Sequence, residues 1–170
     1  MMALIEFAGI CAFWLVIYIT VKIVYWSFGL NKGKKQMISL KLQRLMKELR
    51  KVIDSFNSFS GAMGFSETFR KIRKIHNLCM KVEKRFNIYM FDNPDSKGID
   101  GVRRNFIESK NKYSEKISEV FADDERNEVT KEELEEISSD LEKLYKLCEV
   151  TNRWIVQEIE RTNKREAFKF

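Results

Sequence analysis

The chain is poor in the residues that make tight turns: one Pro and seven Gly in 170 residues. A sandwich or a barrel needs many turns, so both are excluded, as are collagen-like and Pro-rich classes. Only three Cys are present, an odd number, so a disulfide scaffold is excluded. One His and three dispersed Cys give no metal-ligand spacing. There is no Gly-rich phosphate loop, no GxSxG and no HExxH. Asp92–Asp100 holds acids near a Gly, but Pro94 stands where a calcium ligand belongs and no Glu closes the loop. No cofactor and no catalytic residue is therefore expected. Thirteen Phe and 44% hydrophobic residues still speak against a disordered polyelectrolyte.

Apolar residues are abundant but concentrated. From Ala3 to Leu30 there are only two charges, Glu6 and Lys22. A bilayer core of about 30 Å takes about 20 helical residues, which Phe7–Trp26 supplies. Residues 1–30 thus read as a transmembrane anchor. Lys22, with Tyr25 and Trp26, falls at one interface, where a lysine snorkels and aromatics form a belt. Glu6 falls at the other, as a solvated carboxylate. Placed deeper, it would be an intramembrane polar site needing a partner from another chain. A cleaved signal peptide would need positive charge before the apolar run, and none is there. Lys32, Lys34 and Lys35 follow the span, so the positive-inside rule puts the N-terminus outside and residues 31–170 in the cytoplasm. The bilayer and its anionic inner-leaflet lipids are then the first partners.

Residues 31–170 read as an all-α, coiled-coil-like region of four helices at about 34–60, 66–91, 101–122 and 131–167. In the first, Ile38, Leu42, Leu45, Leu49, Val52, Phe56 and Phe59 follow alternating steps of four and three. Ile72, Ile75, Cys79, Val82, Phe86 and Tyr89 do the same in the second. The third carries Val102, Phe106, Tyr113, Ile117 and Val120, with Ser109 and Lys116 interrupting. The fourth carries Leu134, Ile137, Leu141, Leu144, Cys148, Ile155 and Ile159, with Thr151 at one stripe position. Ser66 and Asp100 are expected N-caps, and Thr130 with Glu133 an expected capping box. No segment has strand periodicity. Each stripe covers one face, so the expectation is an antiparallel four-helix bundle.

Charge is segregated along the chain. Residues 31–91 carry a net +11 and residues 123–150 a net −7. The acidic start of the fourth helix is expected to face the basic first two. In an up-down bundle the chain ends beside its own entry. The tail residues Arg161, Lys164, Arg165, Phe168, Lys169 and Phe170 then suit headgroups or a neighbouring subunit.

Arg70 and His76 resemble the motif of HEPN ribonucleases, an Arg followed four to six residues later by His in a helical bundle. The resemblance would imply a nuclease site at these two residues, although Lys71 replaces the polar residue usual after that Arg. The plainer reading is a solvated basic face with His76 at its edge, so no enzyme is expected. Nucleic acid is a less economical partner for the +11 segment than a membrane surface. The expected function is that of an adaptor or assembly subunit of a membrane complex, working by protein–protein contacts, with other subunits of that complex or further copies of this chain as partners. Two alternatives are a membrane-active effector with oligomerising spans, and an envelope coiled coil of reversed topology, similar to phage spanins in its single anchor and helical stalk.

Overall fold

Apolar residues spaced by three and four fold here as long helices, because that spacing stacks them on one helical face. The structure is a computed structural model that describes residues 2–122 and 127–167, with residues 2–15, 21–32 and 165–167 described in backbone alone. It is all-α apart from one short bridge: α1 (Met2–Asn57), β1 (Met63–Gly64), α2 (Phe65–Asp92), α3 (Lys97–Val120), β2 (Glu128–Val129) and α4 (Lys131–Ala167). Two compact units divide the chain, residues 1–34 and 35–170.

The first unit is helical from Met2. Val16, Ile17, Tyr18, Ile19 and Thr20 are all exposed, and the Thr20 hydroxyl donates to the Val16 carbonyl at 2.8 Å. The side chains of Glu6, Lys22, Tyr25, Trp26 and Lys32 lie outside the described residues. Among the described residues no helix is long and apolar enough to cross a membrane. Most side chains of Phe7–Trp26 fall outside that set. Lys34 and Lys35 are half-buried.

The second unit is a four-helix bundle whose order is set by side-chain pairs. Lys74 meets Glu48 at 2.6 Å, and Lys71 donates to Ser55 Oγ at 2.7 Å, joining α1 to α2. Lys110 meets Glu83 and Arg103 meets Asn87 between α2 and α3. Lys116 reaches Glu136 and Asp140 between α3 and α4. Ser39 donates to Asn152, and Ser138 to Asn57, closing α4 onto α1. Along every seam one number rises as the other falls, so all neighbours are antiparallel. At Gly98 the backbone comes close to Trp154, and a Cβ there would lie 2.9 Å from the indole.

Two two-residue strands add a short bridge to the all-α architecture. Met63 pairs with Val129 and Gly64 with Glu128, tying the α1–α2 loop to the α3–α4 loop. Met63 and Val129 are fully buried under the bundle's end.

The heptad stripes of α1, α2 and α4 bury largely as expected, while Val102, Ile117 and Val120 of α3 and Ile159 of α4 are only partly buried against the core. Phe59 is 41% exposed, because α1 ends at Asn57, before the 60 expected, and the chain turns away. The first helix also begins at Met2, not near 34. Helix α2 starts at Phe65 directly after β1, with Gly64 at the cap position, so Ser66 sits inside the first turn. Helix α3 starts at Lys97 after Ser96, four residues before the expected 101, and ends at Val120. Asp100 is therefore in its first turn, where it pairs with Arg103 and Arg104 in place of capping. The capping box of α4 forms as expected: Thr130 N–H donates to Glu133 at 2.9 Å, and Glu133 N–H to Thr130 Oγ1 at 3.3 Å. In α3 the buried polar residue is Lys110, beside the Ser109 position that interrupts the stripe.

Candidate functional site, the basic groove between α1 and α2

Helix α2 buries Ile72, Ile75, Cys79 and Val82, which leaves Arg70, Arg73, Lys74, Asn77 and Lys81 on a neighbouring face. Across the seam α1 contributes Arg44. Together these line an open groove of about 630 Å³, with Leu78 the single apolar residue in its wall. Lys71 also lines it and is engaged by Glu67 at 2.8 Å, by Ser55 Oγ and by Met63 Sδ, with its Nζ over the Phe56 ring. Glu48 lies beneath Lys74, whose hydrogen bond holds that carboxyl below the usual carboxylate range against the opposing effect of burial; Lys51 assists. Glu67 is held low in the same way, mainly by Lys71. Arg44, Arg70, Arg73 and Lys81 make no ion pair among the described residues.

Elsewhere the bundle neutralises its charges locally. Asp100 is held low by Arg103 first, with Arg104 assisting and burial opposing. At Asp140 burial opposes ionisation, and Lys143 and Lys116 outweigh it. Lys116 is raised by Glu136 and Asp140. The acids of α4 thus reach α3 and their own helix, while the α4–α1 seam is built from neutral pairs. This replaces the expectation that α4 neutralises α1 and α2.

These shifts set a pH dependence. Glu48, Glu67, Asp100 and Asp140 have lower values folded than free, so their contribution is complete above their ordinary 4.5 and 3.8. It is lost as pH falls through the lowered values. Lys116 contributes fully below 10.5, and that contribution is lost as pH rises through its raised value. The melting temperature of the full chain in neutral detergent should be flat between these limits and fall on both sides. Circular dichroism melts across that range check it, and a melting temperature unchanged below pH 3.8 would contradict it.

The structure separates the two residues of the HEPN-like motif. Arg70 lines the groove towards α1, whereas His76 Nδ1 lies 3.3 Å from Ser114 Oγ on α3. Six residues at about 100° each put them on different faces. Cys79 and Cys148 are buried and free. Burial pushes the Cys79 thiol up to about 12, and burial with Cys79 nearby raises Cys148. Neither is a nucleophile at neutral pH. Burial also raises Tyr113, whose hydroxyl has no hydrogen-bond partner. No metal-binding group of His, Cys, Asp and Glu is present among the described residues.

Of the tail, Arg161 and Lys164 are exposed, and Arg161 pairs with Glu158. The Arg165 side chain and Phe168, Lys169 and Phe170 lie outside the described residues. The Ser39–Asn152 bond puts the last part of α4 at the end where α1 enters the bundle.

What sequence reading missed is the convergence of Arg44 with the α2 cations. The spacing of Arg70, Arg73, Lys74, Asn77 and Lys81, by three and four, was the available signal. No known family matches the chain, and no curated protein or solved structure matches it either.

Proposed function

We propose that the chain is a single-pass membrane protein whose helical bundle, in the cytoplasm, serves as an adaptor or assembly subunit of a membrane complex. One observation carries this reading. Val16–Thr20 are five consecutive exposed residues, and five helical positions sweep a full circle. Four apolar residues and one threonine open on every side of the helix over that stretch suit lipid, not a protein core. The Thr20 hydroxyl returned to its own backbone satisfies a polar group as such a helix requires. Lys32, Lys34 and Lys35 then meet the anionic leaflet, at about 1 kcal/mol each. Among the described residues the bundle offers an open groove lined mainly by cations, which supports a binding role.

The test joins topology to contact. The protein should stay in membranes through alkaline carbonate, and a reporter fused after Phe170 should be active only if it works in the cytoplasm. Photo-crosslinkers at Lys84 and Glu142, both exposed, should give discrete adducts with other proteins. A ladder of self-adducts from position 17, with growth arrest, would replace the adaptor by the membrane-active effector. Activity of an outside reporter alone would replace it by the reversed, spanin-like stalk.

A further inference from the structure

We propose that the α1–α2 groove is a binding site for a multiply phosphorylated ligand, either an inositol-phosphate headgroup at a bilayer or its free, soluble counterpart. This goes beyond the adaptor reading and does not depend on it.

Charge is the first argument. Arg70 and Arg73 are three apart, and Arg70 and Lys74 four apart, on one helix. Like charges at those spacings repel. On α3 and α4 the same spacings are filled by opposite charges: Asp100 with Arg103, Glu108 with Lys112, Asp140 with Lys143 and Glu158 with Arg161. In the groove Lys71 pairs with Glu67 and Lys74 with Glu48, but Arg70 and Arg73 make no ion pair among the described residues, and a bound polyanion would relieve their repulsion.

Shape and lining are the second. A concavity of about 630 Å³ matches a small-molecule site. Seven of its eight lining residues are polar or charged, which suits a polar, anionic occupant. Arg44, Arg70 and Arg73 present forked guanidinium groups, which engage phosphate two-pronged, and Asn77 adds an uncharged donor. No aromatic side chain lines the groove, so it offers no stacking platform for the bases of a single-stranded nucleic acid.

The experiment uses the full chain in neutral detergent, titrated with inorganic tripolyphosphate and with inositol hexakisphosphate by calorimetry. A parallel arm measures binding of the chain in nanodiscs with and without a phosphatidylinositol bisphosphate. The expected result is one saturable, salt-sensitive site with a rise in melting temperature. Arg70→Gln with Arg73→Gln should weaken it roughly tenfold or more, with the melting temperature of the free protein unchanged or higher. Lys84→Gln with Lys112→Gln, an equal charge loss outside the groove, should leave it intact. Response to the soluble probes alone assigns the free ligand. Response only with the phosphoinositide present in the disc assigns the headgroup. Equal weakening by the two double variants would overturn the proposal, because diffuse charge would then explain the binding. Saturation by single-stranded RNA without any response to phosphate probes would overturn it too. So would a salt-sensitive dimer formed without ligand and abolished by the groove variant.

Discussion

Phe86→Ala should lower the stability of the bundle by about 4 kcal/mol. Phe86 and Phe106 are both fully buried, on α2 and α3, with ring centroids 5.9 Å apart. Truncation removes the transfer free energy of a large side chain and leaves Phe106 facing a void that helices can only partly close. For a bundle of this size the melting temperature should fall by roughly 10–15 °C. Phe91→Ala is the matched control, since Phe91 is 88% exposed and should cost under about 0.5 kcal/mol. Thermal melts of the three proteins in one detergent decide it. Similar losses from both substitutions would mean that the α2–α3 seam is not the packed core described.

The second large effect concerns a buried ion pair. Lys110 is 8% exposed, and its Nζ lies 2.6 Å from Glu83 Oε2 and 3.7 Å from Met80 Sδ. Glu83→Leu would leave an ammonium under the helices without its counter-charge, at about 3 kcal/mol. Lys110→Met alone strands the carboxylate, which is 19% exposed and better hydrated, so its cost should be smaller. The double variant should return to within about 1 kcal/mol of the parent, because an apolar pair of similar volume refills the space. Chemical denaturation of all four proteins gives the coupling. If the single changes simply add, the pair behaves as a screened surface bridge.

Parts of this fold were legible because they are local. Ile38 to Phe56, Ile72 to Tyr89 and Leu134 to Ile155 bury at heptad spacing, which depends only on helical period. The Thr130–Glu133 capping box lies within four residues. Helix starts at Phe65 and Lys97 were not legible. The first is fixed by β1 pairing with a strand 65 residues later, the second by the short turn after Pro94. Phe59 was misplaced because nothing in its spacing marks where α1 stops. At the candidate groove the excess of cations was visible, but not that Arg44 would stand opposite Arg70 and Arg73. Likewise spacing alone suggested that Arg70 and His76 act together, whereas helical phase turns them to different seams.

The bridge between β1 and β2 also has a mechanical consequence. It ties the far ends of the helical hairpins, whereas α1 enters and α4 leaves at the other end. A load between Lys35 and Ala167 would pull adjacent helices apart from one end. Contacts would break in sequence, Ser39–Asn152 before Ser138–Asn57, with the bridge at the root of the tear. That is the geometry of a zip fastener, compliant at the end where load arrives and stitched at the other.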